Sequence, residues 1–412
     1  MTHLHLAAAL DEAGWHPAAW REPAARPDEL FTAGYWVDLA RTAERGGLDL
    51  ITIEDSFGLQ STDFRGPDGR TDQVRGRLDA VQLAARIAPA TRRIGLVPTA
   101  STTHTEPFHL AKAVATLDYV SLGRAGLRAQ VSPRAADGDH VGRRYIAEIE
   151  PTDLTSGPAR ELIGELFDEA GDYVEVLRRL WDSWEDDAEI RDAATGRFID
   201  RDKLHYIDFH GRFFSVKGPS ITPRPPQGQP LVAALAHAAP GLRDRPIRFA
   251  AAHADLVFVT PRDSPDAADL VRAVRAAGPA PHVFGDLVVF LDRPGESGAD
   301  RKARLDALDG SALTSDARIF TGPATALAEL LADWRRTGLT GFRLRPGALP
   351  DDLDLIVDTL VPELASRGLL PVGDGATTLR GRLGLARPEN RYAVSTSARA
   401  TPARATTEGV PA

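Results

Sequence analysis

Chemistry-bearing side chains in this sequence gather where short apolar runs give way to polar turns. The run Ile94–Val97 is followed by Pro98–Glu106, which is nearly all small and polar and carries Thr99, Ser101, Thr102 and Thr103 before His104. Hydroxyls both donate and accept hydrogen bonds, and an imidazole can carry a proton near neutral pH. His104 is therefore the candidate catalytic residue. The plain alternative for all five is a solvated turn. Leu48–Ile53 ends at Glu54-Asp55-Ser56, where Asp55 reads as a ligand-facing carboxylate or as a turn or helix-capping group. Arg124–Val131 carries Arg128 and Gln130 and is followed by Ser132. An inward arginine there needs an anionic partner, either a ligand or Glu54 or Asp55. His237 closes the run Leu231–Ala236, where a protonated imidazole suits a phosphate and a capping histidine is the simpler reading.

Other chemistry is excluded. There is no cysteine, which rules out disulfides, Cys-ligated zinc, iron–sulfur clusters and thiol nucleophiles. No G-x-S-x-G elbow, P-loop, H-E-x-x-H or G-x-G-x-x-G occurs. The histidines are scattered with no acidic cluster at ligand spacing, so no metal site is expected. Little can be done by these side chains unaided.

The elements that must position them alternate. Strands are predicted to begin near His3, Leu48, Ile94, Arg124, Leu231, Leu256, Val283 and Gly341, with helices between them. Two such strands joined by a helix form a right-handed parallel crossover, which places Pro98–Glu106 at the carboxyl end of its strand. Ligands of α/β proteins bind at that end. Pro107 opens a helix to Val120, and Gly123 caps it in a left-handed conformation. A loop of some 25–30 residues follows Ser132, then a long amphipathic helix from Ala159 to Trp184. Within an insertion over 185–228, HYIDF and RFFSV flank His210-Gly211 as a hairpin. A broken helix spans Ala299–Leu313 and the last helix Leu353–Arg367. Eight alternating strands predict a (β/α)₈ TIM barrel over 1–372. An extension over 373–395 is expected to pack on it, followed by a disordered Ala/Thr/Pro-rich tail over 396–412.

A net charge of −9 disfavours nucleic acid or an anionic membrane as the partner. No signal peptide and no apolar span of about 18 residues is evident. A cytoplasmic protein is expected.

The runs AERGGLDLITIEDS (43–56), EPFHLAKAVATLDYVSLGRAG (106–126), DYVEVLRRLWDSWEDDA (172–188), HYIDFHGRFFSVKGP (205–219) and TLRGRLGLARPENRY (378–392), in this order and spacing, resemble the bacterial luciferase-like monooxygenases. The similarity is greatest to the nitrilotriacetate and dibenzothiophene-sulfone monooxygenase branch. The resemblance implies a barrel that binds reduced FMN at the carboxyl ends of its strands and uses O₂ to oxygenate a small organic substrate. It also implies a separate NAD(P)H-dependent flavin reductase and a homodimer or homotetramer. Carried over residue by residue, it sets Asp55, Thr99, Ser101, Gln130 and Ser132 beside the flavin ring. His237 stands near the phosphate. Two features depart from the family. Its His and Tyr four apart fall at Ile163 and Phe167, and its Gly-Ser-Ser phosphate clasp falls at Ala236-His237-Ala238-Ala239. Those departures keep open an F420-dependent oxidoreductase, and a barrel that has lost flavin and serves only to bind.

Overall fold

The computed structural model describes residues 3–61, 63, 65, 66, 68–150, 156–237, 244–370 and 375–393. Ala238, Ala239 and the tail 396–412 lie outside them. Eight parallel strands close into a ring: β1 (His5–Leu10), β2 (Leu50–Ile53), β3 (Gly95–Ser101), β4 (Gly126–Gln130), β5 (Leu231–Leu235), β6 (Leu256–Val259), β7 (His282–Leu291) and β8 (Gly341–Pro346). Each pairs with the next in number, and β8 pairs with β1 to close the ring. All eight predicted strands are thus in the ring, and the TIM barrel is as expected.

One further strand, Arg318–Gly322, lies along the far half of β7, pairing Leu287 through Leu291. It is absent from the sequence reading because its pattern is short and half exposed. Four other differences are local. The loop after Ser132 contains a short helix, Ala135–Val141, closed by Gly142 at φ +66°. The hairpin in the insertion pairs Phe209 with Val216 and His210 with Ser215, so its turn is Gly211–Phe214 and not His210-Gly211. A second hairpin, Glu189–Asp192 with Arg197–Ile199, precedes it. The last helical stretch begins at Asp351 and passes through a π-turn at Ile356–Leu360, just before Pro362, whose missing N–H breaks the regular ladder.

Strands buried on both faces alternate between two cores. Leu6, Ala8 and Leu10 of β1, and Ile51 and Ile53 of β2, face the surrounding helices. Ala7, Leu50, Val97, Leu231, Leu256 and Phe284 fill the lower barrel together with Leu379 and Leu383 from the C-terminal extension. Those leucines close the amino end, and an added Cβ on Gly95 would stand 2.5 Å from Leu379.

Four helices bear on the site. α1 (Ala33–Arg45) starts at Thr32, α2 (Ala80–Ile87) at Asp79, and α3 (Pro107–Val120) begins on its proline. The long helix Gly157–Asp182 starts at Ser156, whose hydroxyl accepts from Ala159 N–H, and packs on α3.

Candidate functional site

The upper barrel is filled by charge. Thr99 and Arg128 are cross-strand neighbours on β3 and β4. Arg128 Nε donates to Thr99 Oγ1 at 2.9 Å, and its Nη2 meets Glu54. Glu54 Oε1 accepts from Arg343 Nη1 (3.1 Å), and Arg343 Nε donates to Asp286 (3.0 Å). Asp286 also accepts from Arg345 Nε (3.0 Å), and Arg345 Nη1 reaches Asp316 at 2.6 Å. The chain therefore runs Thr99–Arg128–Glu54–Arg343–Asp286–Arg345–Asp316 across the barrel. Burial costs these ions their water, and the alternation of sign returns that cost only because each has a partner. Arg343 also lies 4.2 Å from the Phe258 ring centre and Arg345 5.1 Å from that of Trp15. Of the two readings for Arg128, the ion pair with Glu54 is the one formed.

The sequence reading missed Asp286, Arg343, Arg345 and Asp316. A signal was there: Arg343 and Arg345 stand two apart in GFRLRP, so both point to one face of a strand that is otherwise buried.

The candidate site residues fall at the carboxyl ends of β2, β3, β4 and β5. Thr99 is fully buried, with its oxygen accepting from Arg128. Ser101 Oγ accepts from Thr103 N–H at 3.2 Å. His104 is 4% exposed, and among the described residues neither of its ring nitrogens has a hydrogen-bond partner. Burial, then the nearby Arg144, hold its pKa below the ordinary histidine value, so the ring is neutral at pH 7. Phe57 meets its ring edge to face at 6.0 Å. Gln130 shows its side-chain oxygen buried and likewise without a partner.

Ser132 is turned aside: its hydroxyl donates to Asp137 Oδ2 at 2.6 Å. Asp137 is 2% exposed, and its other oxygen has no hydrogen-bond partner among the described residues. Asp55 accepts from Ser56 N–H (2.7 Å) and, through its other oxygen, from Ala80 N–H (2.9 Å). That is the capping arrangement, and burial raises its pKa. His237 Nδ1 lies 3.0 Å from Thr260 Oγ1, with Asp316 4.0 Å away.

Ile163 sits in a small apolar cluster with Ile149 and Ala159, against which Phe167 packs, so that face of the long helix offers no donor to a phosphate. Arg143 and Arg144 are engaged by Glu106 (2.9 Å) and Glu169 (2.7 Å). Trp15 and Trp20 border a cleft of about 150 Å³ beside Asp11 and Glu12. A larger pocket of about 500 Å³ opens between the ends of β2 and β3 and the helices α2 and α3, with Asp55, Thr99 and Ser101 in its wall. No group of three or more His, Cys, Asp or Glu that could hold a metal occurs among the described residues. Nor is any described helix long and apolar enough to cross a membrane.

A barrel of this topology has counterparts in known proteins. The chain is 29% identical to N-acetyl-S-(2-succino)cysteine monooxygenase of Bacillus subtilis (strain 168), covering 92% of this chain and 96% of that protein. It is 28% identical to nitrilotriacetate monooxygenase component A of Aminobacter aminovorans (92% and 96%) and 28% identical to dibenzothiophene-sulfone monooxygenase of Rhodococcus erythropolis (90% and 94%). Among solved structures, long-chain alkane monooxygenase superposes with a TM-score of 0.79 at 22% identity, covering 93% of this chain and 96% of that one. A riboflavin lyase solved with modified FMN and riboflavin gives 0.77 at 23% identity, covering 94% and 97%. An F420-dependent secondary alcohol dehydrogenase is more distant, at 0.58 and 13%, covering 88% and 99%. The family described as luciferase-like monooxygenase matches residues 13–308, well over half of the chain. The protein belongs to the luciferase-like monooxygenase family and is an enzyme of that flavin-dependent class.

Proposed function

We propose that this enzyme uses reduced FMN, supplied by a separate NAD(P)H-dependent flavin reductase, together with O₂ to oxygenate a small organic molecule. We place it in the cytoplasm as a homodimer or homotetramer. The observation that carries the cofactor reading is that three of the buried atoms without hydrogen-bond partners among the described residues, the two nitrogens of His104 and the side-chain oxygen of Gln130, lie at or just beyond the carboxyl ends of β3 and β4. Leaving such atoms unmet costs about 1–3 kcal/mol each, and a flat heterocycle with donors and acceptors along its edge fits them.

Reduced FMN, when bound, supplies the activation of O₂. The residues of this chain would then bind, orient and exclude water. Thr99 uses its lone pairs on Arg128 and keeps its hydroxyl proton for a ligand acceptor. Ser101 has the same freedom, since its oxygen receives Thr103 N–H. Gln130 orients the edge by accepting a hydrogen bond. His104, neutral and shielded from water, would hold or release a proton at a ring nitrogen. Asp55 and Ser132 act one step back: Asp55 fixes the turn and the start of α2, and Ser132 holds Asp137. The phosphate end is assigned to His237, with Thr260 beside it. The weaker likeness to F420 enzymes and the missing donors at Ile163 and Phe167 make F420 the second reading.

The test is turnover under isotopically labelled O₂ with FMN, NADH and a flavin reductase. Label in an organic product supports the reading; oxidation of substrate by F420 without O₂ would replace it.

A further inference from the structure

The pocket of about 500 Å³ between α2 and α3 is in the size range of sites for small organic ligands, about 300–1,000 Å³. Its walls are Phe57, Val81, Ala100, Leu110 and Ala113. Its ionisable groups are the carboxylates of Asp55, Asp79 and Glu106 and the imidazole of His109, and among the described residues no lysine or arginine lines it. Asp55 and Asp79 give oxygens to backbone N–H groups of Ser56, Ala80 and Gln82, and Glu106 is paired with Arg143. Backbone donors offset part of the desolvation of a carboxylate without cancelling its charge, so Asp55 and Asp79 carry charge that no lysine or arginine in the lining offsets. Thr99 and Ser101, assigned above to the flavin ring, stand in the same wall, which puts the cavity against the oxygenating centre.

We propose that this cavity takes an uncharged, largely apolar organic substrate and that its carboxylates turn away polycarboxylates. Apolar walls reward removal of hydrocarbon or thioether surface from water. A ligand with two carboxylates would bring like charge against Asp55 and Asp79, with no lysine or arginine in the lining to receive it and His109 alone on the α3 side. The inference rests on the flavin reading for its location, and its ligand class is tested apart from that reading.

The experiment is calorimetric titration of the full chain with three ligands on one skeleton: naphthyl methyl thioether, naphthoate and naphthalene dicarboxylate. The thioether should bind, with the dicarboxylate weaker by about tenfold or more. Ala113→Trp, which fills the cavity from α3, should remove thioether binding. Asp79→Asn, which can still cap α2, should narrow the gap between thioether and dicarboxylate. Dicarboxylate binding as tight as thioether binding would overturn the proposal. So would thioether binding that survives Ala113→Trp, or no binding by any of the three. Reduced FMN is titrated separately on the same samples. Thioether binding without FMN binding removes the flavin reading and leaves the ligand class standing, whereas the reverse removes the ligand class alone.

Discussion

Thr99 Oγ1 and Arg128 Nε, neighbours across β3 and β4, are joined by a 2.9 Å hydrogen bond that ties the proposed flavin wall to the charge chain beneath it. Thr99→Val keeps the shape and deletes the acceptor, leaving a buried guanidinium N–H unmet. The expected cost is about 1–3 kcal/mol of stability, read by urea denaturation, together with weaker binding of reduced FMN. Thr99→Ser should retain most of both. If Thr99→Val is as stable as the parent, the bond contributes nothing.

His104 should behave in the opposite sense. Its nitrogens are buried without partners, so His104→Phe removes orphaned polar atoms and should leave the thermal midpoint unchanged or raised. If the imidazole handles a proton in turnover, kcat should fall by about a hundredfold or more. Full activity in that variant would withdraw the catalytic assignment.

Asp55→Ala should cost about 0.5–2 kcal/mol, as for a lost helix cap, because both oxygens hold backbone N–H groups at the turn and at α2. Reduced FMN affinity should drop as the turn loosens. Unchanged affinity, with the stability loss present, would leave Asp55 a capping residue alone.

How much of this was legible in the sequence depended on the kind of signal. All eight ring strands could be found because apolar runs alternate with amphipathic helices, and Pro107 and Gly123 mark the ends of α3 by backbone rules that act locally. The strand Arg318–Gly322 was not, since half-exposed residues beside one partner carry no burial pattern. The strand pattern placed Thr99, Ser101 and Gln130 toward the carboxyl ends of β3 and β4, where the structure has them. It could not tell that Asp55 spends its oxygens on the backbone, or that Ser132 turns to Asp137, because those partners are set by tertiary packing. The chain Arg343–Asp286–Arg345–Asp316 draws on β7, β8 and the stretch before Arg318, a juxtaposition that spacing along the chain does not state.

At the amino end of the barrel, burial pushes His282 down to about 4, with His5 adding to the effect. Its Nε2 lies 2.7 Å from the Leu383 carbonyl, which suits a neutral ring donating from that nitrogen. The folded-state value lies below the ordinary histidine value of 6.5, so the unfolded chain binds the extra proton first. The stability held at and above pH 6.5 should therefore be lost as pH falls from 6.5 toward 4, by roughly 3 kcal/mol. His282→Gln should flatten that part of the curve, followed by urea midpoints from pH 4 to 7. The same slope in the variant would assign it to other groups.

The most direct measurement is an anaerobic titration of the purified protein with reduced FMN, oxidised FMN and F420, followed by fluorescence. Reduced FMN should bind saturably and more tightly than F420, and Thr99→Val and His237→Ala should each weaken that binding. Preference for F420, or no binding of any of the three, would contradict the flavin reading.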